Sequence, residues 1–206
     1  MNHHEKEMNP GKKNTAGNLR MTGIILLASM LLFAGTLPES EMYQIRKGII
    51  RFVSDAPQEL IKGYSKELKG VIDPGKRTFA FSIYNRSIKG FNSALEQEHF
   101  YENYIEADKY PYSTFEGKII ETIDFTKNGD YNVRAKGIFK IHGISQERII
   151  ESSLKVFNGI ITIKSQFTVL LSDHDIIIPK IVYLKIAKEI SIEVEAEFTK
   201  INPAKK

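Results

Sequence analysis

Apolar and polar residues alternate with a period of two along most of this chain. Ile190, Ile192, Val194, Ala196 and Phe198 alternate with Ser191, Glu193, Glu195 and Glu197. Such a run is a strand with one face in a core and the other in water. Phe79, Phe81 and Ile83 alternate with Ala80 and Ser82. Tyr131, Val133, Ala135, Gly137, Phe139 and Ile141 form a longer run, as do Ile161, Ile163, Ser165, Phe167, Val169 and Leu171. Phe115, Gly117 and Ile119, continued less cleanly by Ile123 and Phe125, form another. Weaker runs over 42–54, 58–72 and 145–156 bring the expected strands to eight.

The punctuation fits antiparallel pairing. Asp73-Pro74-Gly75-Lys76 places Pro and Gly at the centre of a type II turn. Asn128-Gly129 and Asn158-Gly159 suit type I′ hairpins. No strand-helix-strand rhythm appears, which argues against a parallel sheet.

Two segments break the period. Residues 93–105 read as a helix, with Ser93 and Glu96 spaced as a capping box and Leu95, His99, Phe100, Asn103 and Tyr104 along one face. Residues 179–188 read as a second short helix that starts at Pro179. The expected fold is mainly β: an eight-stranded antiparallel barrel with one inserted helix and a second short one. Closure removes exposed sheet edges.

At eight strands a lumen is filled by side chains or holds one slim ligand. The inward rows contain Gly117, Ala135, Gly137, Ser165 and Ala196. Two readings stay open: the small residues leave room for a ligand, or the glycines serve barrel curvature. The stretch "EHFYENYIEADKYPYSTFEG" at 98–117 is aromatic and ends in a Tyr110-Pro111 re-entry. Pro disfavours a helical residue before it. His99, Phe100, Tyr104 and Tyr110 are therefore expected as a lid at the barrel mouth.

Composition narrows the compartment. Residues 21–35, "MTGIILLASMLLFAG", are uncharged and follow Lys12, Lys13 and Arg20. The run is too short for the roughly 20 residues of a membrane span. It reads as a secretory signal, with cleavage at the small residues 34–36. The expected organisation is a leader over 1–36 and an exported barrel domain over 37–206. No cysteine exists for a lipid anchor or a disulfide, so the core alone must hold the fold. Removing 1–36 takes away four basic and two acidic residues, which lowers the formal net charge from +4 to +2. That balance, without a basic stripe, excludes nucleic acid as a partner. The tail "NPAKK" reads as disordered.

The polar residues carry little chemistry. His99 has no Ser or Cys nucleophile at a recognisable spacing and reads as a packing residue. His142 points out of a strand end and reads as a turn contact. Asp173-His174-Asp175 reads as a solvated loop, because the three remaining histidines lack zinc spacing. Glu96 and Glu98, or Glu193 and Glu195, do not converge as an acid/base pair. No catalytic residue, metal site or cofactor is expected.

Three stretches together resemble the YceI-like, or polyisoprenoid-binding, family. They are "GFNSALEQEHFYENYIEADKYPYSTFEGKI" (90–119), "YNVRAKGIFKIHGISQERI" (131–149) and "IIIPKIVYLKIAKEISIEVE" (176–195). The resemblance runs from about Tyr43 to Thr199. It implies a lipocalin-like barrel in the periplasm, an elongated apolar cavity and, for some members, a bound isoprenoid lipid and a homodimer. No headgroup motif carries over. The residues expected to line the lumen are Phe79, Phe81, Phe91, Phe115, Ile119, Val133, Ala135, Phe139, Ser165, Phe167, Val169, Ile192 and Val194. The function expected is a binding or carrier protein for an isoprenoid or fatty-acid-like lipid, in loose contact with envelope membranes. The alternatives are an envelope-stress interaction protein with a filled barrel, or an enzyme on an apolar substrate.

Overall fold

The computed structural model describes Met1 and residues 41–201. The leader and the "NPAKK" tail lie outside the described residues. Nine strands follow in order: β1 (Tyr43–Asp55), β2 (Leu60–Ser65), β3 (Lys69–Asp73), β4 (Thr78–Tyr84), β5 (Tyr112–Ile119), β6 (Gly129–Ile141), β7 (Ile144–Phe157), β8 (Ile160–Leu170) and β9 (Glu189–Lys200). Every pairing is antiparallel, and β1 closes the sheet on β9 from Tyr43↔Lys200 to Val53↔Ser191. On its other side β1 pairs with both β2 and β3. These two short strands are one stave, so the closed barrel has eight.

The run expected over 58–72 is thus broken in the middle. Ser65 Oγ accepts a hydrogen bond from Glu67 N at 3.0 Å and lies 2.7 Å from Ser87 Oγ. A local hydroxyl contact of this kind competes with the strand ladder. Leu68 then turns into the core, where it is buried.

The turns depart from expectation in an instructive way. Asn158 and Gly159 both take positive φ (50° and 76°), as a type I′ hairpin requires. His142 and Gly143 do the same (50° and 76°) and join Ile141 to Ile144 in a hairpin that no Asn-Gly dipeptide marks. Asn128-Gly129 makes no tight turn. β5 stops at Ile119, and a loop over 120–128 leads to β6. In that loop Asp124 Oδ1 accepts from Thr126 N at 3.0 Å. The Thr126 hydroxyl and amide, with Lys127, hold the Asp124 carboxyl down at about 2. Ile123 and Phe125 are therefore not strand residues; Phe125 is buried beneath Tyr43, ring centroids 6.5 Å apart. At the other expected turn Asp73 Oδ1 accepts from Lys76 N at 3.0 Å. The left-handed residue there is Arg77 (φ 57°), not Gly75.

The close approach of the β5 and β6 backbones needs two glycines. Gly117 and Gly137 are directly paired. A Cβ on Gly117 would lie 2.1 Å from Lys136 O, and one on Gly137 would lie 2.2 Å from Glu116 O. These two small residues serve close backbone approach.

The chain between β4 and β5 forms the inserted helix. α1 (Ala94–His99) starts at Ser93, whose side chain accepts from Glu96 N at 3.1 Å. The return contact goes one residue further back: Asn92 N donates to Glu96 Oε2 at 3.1 Å. α1 then widens into a π turn over Phe100–Tyr104, with Ile105 N bonded to Phe100 O at 2.9 Å. Fully buried Asn85 secures the returning end of the insertion. Its Nδ2 donates to Tyr110 O at 2.7 Å, its N to Pro111 O at 2.9 Å, and its Oδ1 accepts from Ser113 Oγ at 2.8 Å. The second short helix shrinks to one 3-10 turn, Lys180–Val182, with Pro179 extended just before it. The following backbone bonds to the barrel rim instead: Gln58 N to Leu184 O and Ala187 N to Ser54 Oγ, both at 2.9 Å.

Candidate functional site

The inward rows do not fill the barrel. One end is plugged by Tyr43, Ile72, Phe125, Val156, Ile161 and Phe198. Beyond that plug lies a cavity of about 510 Å³, within the range of ordinary ligand sites. Its wall is overwhelmingly apolar. Phe79, Phe81, Phe91, Phe115, Ile119, Val133, Ala135, Phe139, Ser165, Phe167, Val169, Ile192 and Val194 all border it. A belt of rings runs along one side. Phe79 meets Phe115 at 4.8 Å, Phe115 meets Phe139 at 5.9 Å, and Phe139 meets Phe167 at 5.8 Å. Ser152 on β7 and Ser165 on β8 place a hydroxyl pair, 2.6 Å apart, in the wall beside this belt.

Of the lid residues, His99, Phe100 and Tyr104 border the cavity. Phe100 stacks on Phe52 at 5.6 Å and meets Phe91 at 5.0 Å, and Phe52 meets Phe91 at 5.7 Å. This three-ring cap joins β1 to the insertion. Phe52 comes inward through the register shift between Ile45 and Lys47, which a strict period of two over 42–54 does not show. Burial pushes the Tyr104 phenol above its ordinary value. Tyr110 does not border the cavity. The extended re-entry before Pro111 aims it at the β6–β7 turn, where its ring meets His142 at 5.1 Å. A Cβ on Gly143 would lie 2.4 Å from that ring.

The open end lies between α1 and the segment over 176–188. The exposed residues that border the cavity are Ser93, Leu95, His99 and Lys185. His99 is thus an exposed rim residue rather than a packed one. Two carboxyls that are distant in sequence, Glu59 and Glu96, also border the cavity. Burial, and then a hydrogen bond between the Glu96 and Glu59 carboxyls, raise the Glu96 carboxyl above its ordinary value. Lys185 Nζ stands 3.9 Å from Glu59. No spacing rule along one strand or helix could have found this pair. The pair presents carboxyl oxygens that can accept hydrogen bonds from a polar headgroup.

His174 corrects the reading of Asp173-His174-Asp175 as a solvated loop. Its ring is fully buried at the end of a 3-10 turn (Leu171–His174), edge-on to Phe139 at 5.7 Å. Its Nδ1 lies 3.2 Å from Ile144 O, while its Nε2 meets no hydrogen-bonding partner among the described residues. The expected turn contact of His142 is made here: its Nδ1 lies 2.9 Å from His174 O. Burial holds the His174 pKa below the ordinary 6.5. The unfolded chain therefore binds the extra proton more readily than the folded one. Stability should be constant above about pH 6.5 and should fall as pH drops below it. Melting temperature measured from about pH 7.5 to about pH 5 checks this, with His174→Phe expected to flatten the profile. An unchanged slope in the variant would assign the loss to other groups.

A closed antiparallel barrel around an apolar chamber defines the class of hollow, single-chamber β-barrels. The family match is more specific: the YceI-like domain covers residues 51–198, and the chain belongs to that family. The fold is shared with several solved structures. A polyisoprenoid-binding domain from Saccharophagus degradans, implicated in plant cell wall breakdown, superposes with a TM-score of 0.66 at 12% identity, covering 79% of this chain and 100% of that one. BcnA of Burkholderia cenocepacia gives 0.60 at 17% identity over 73% and 95%. A YceI protein of Campylobacter jejuni gives 0.54 at 19% identity over 68% and 84%. No curated protein matches the chain.

Proposed function

We propose that this protein binds one amphiphilic lipid by its apolar chain and carries it through the periplasm. The observation that carries this reading is the chamber of about 510 Å³, lined by phenylalanines and aliphatic side chains and open at one end. Each buried CH₂ contributes roughly 0.8 kcal/mol. Ten such groups give about 8 kcal/mol, which corresponds to about micromolar affinity before the costs of association. The Saccharophagus degradans relative is described as polyisoprenoid-binding, which supports a long isoprenoid or fatty-acid-like chain here. The carboxyl pair at the mouth fits a headgroup that donates hydrogen bonds. Carriage rather than catalysis fits a chamber whose wall is apolar along its length. Export rests on the leader over 21–35.

Native mass spectrometry of the protein purified from its own cell envelope tests both parts. The expected spectrum shows one bound amphiphile that organic extraction removes, and an N-terminus between about residues 35 and 41. A ligand-free protein that also takes up no fluorescent fatty-acid probe would overturn the binding reading. A full-length cytoplasmic product would overturn the export reading.

A further inference from the structure

The segment over 176–188, "IIIPKIVYLKIAK", leaves large apolar side chains in water beside the open end of the barrel. Ile181 is 92% exposed, Ile177 81% and Tyr183 62%. Leu95, across the mouth on α1, is 65% exposed. Within the same segment Val182, Lys185 and Ile186 border the cavity. Lys180, Lys185 and Lys188 are exposed, and the segment contains no acidic residue; the nearest along the chain are Asp175 and Glu189. Lys185 is partly offset by Glu59, 3.9 Å away. Lys180 and Lys188 have no ion pair among the described residues.

We propose that this segment docks the barrel mouth onto an anionic lipid bilayer. The inference rests on the lipid-carrier reading and adds the surface through which a lipid enters. Aliphatic tips and an amphipathic tyrosine bury at the interface between headgroup and acyl chain. Lysines extend their charge to the headgroups, where each attracts an anionic surface. A second copy of this chain is the poorer occupant. An isologous contact would set these lysines against themselves, which opposes self-association. Docking at the rim also solves a physical problem. A lipid that leaves the bilayer there reaches the chamber without exposing its whole chain to water, at roughly 0.8 kcal/mol for each CH₂.

Flotation with vesicles tests the proposal. The protein should bind phosphatidylglycerol/phosphatidylethanolamine vesicles, bind phosphatidylcholine vesicles much more weakly, and release as salt rises. Ile181→Asp with Tyr183→Asp should lower binding at least about tenfold, because two exposed anchors are lost. Lys180→Glu with Lys188→Glu should lower it by about twenty-five-fold or more, at roughly fivefold or more for each lysine. These side chains are exposed, so both variants should melt as the parent does. Equal binding to both vesicle types, or binding unchanged in both variants, would overturn the proposal. So would a dimer that the Ile181 and Tyr183 changes dissolve, without vesicle binding by the parent. Uptake of a soluble fluorescent fatty acid without vesicles reports the chamber alone. Intact uptake with no docking overturns only the docking surface, whereas docking with no uptake overturns the carrier reading.

Discussion

Ala135→Leu should lower the binding of a fluorescent fatty-acid probe on the order of fiftyfold while leaving the barrel folded. Ala135 borders the chamber on β6, opposite Ile119 on one neighbouring strand and Ile150 on the other. Leucine adds three carbons where a ligand's chain would lie. Displacing about three CH₂ groups of ligand removes roughly 2.4 kcal/mol of burial. Filling a void avoids the roughly 1–3 kcal/mol that overpacking a full core costs. Melting temperature should therefore hold within a few degrees, since about 1 kcal/mol shifts a domain of this size by roughly 2–4 °C. Probe titration and thermal melting on the same sample decide the matter. Loss of several degrees in the variant, with no probe binding by the parent, would mean that the chamber is closed in solution.

Gly137→Ala, two residues further along the same inward row, should instead destabilise the fold strongly. The new Cβ would meet Glu116 O at 2.2 Å and Glu116 C at 2.8 Å. These are backbone atoms of the paired strand, so no rotamer change relieves the clash. The cost should reach or exceed the upper end of the roughly 1–3 kcal/mol seen for overpacking, because β5 and β6 must separate. Denaturant unfolding measures it. A stability within about 0.5 kcal/mol of the parent would show that the strand pair yields easily, and that the close approach here does not depend on glycine. The contrast with Ala135 separates two roles that look alike in sequence: one small residue keeps space open, and the other lets two backbones touch.

Much of the architecture was legible in the residues. Alternation over 131–141, 161–171 and 190–198 marked strands and their inward faces, because a side-chain period of two leaves no choice of face. The thirteen residues that this phase and the family resemblance marked for the lumen all border the chamber. The Ser93 cap was legible because it is a local contact between near neighbours.

What the sequence did not contain were outcomes decided across the fold. Whether the lumen stayed hollow depended on how eight staves curve together, and that set Gly117 against Gly137 while leaving Ala135 and Ser165 on open space. Tyr110 does not border the chamber because the strand it enters directs its ring at the β6–β7 turn. His174 is buried, despite its two flanking aspartates, because its 3-10 turn packs the ring against Phe139. The carboxyl pair of Glu59 and Glu96 forms because the loop before β2 and the start of α1 meet at the same rim. Periodicity and capping act over a few residues and are written locally in the chain. Cavity volume, burial of a polar ring and the meeting of two distant carboxyls are sums over many long-range contacts, and only the closed barrel decides them.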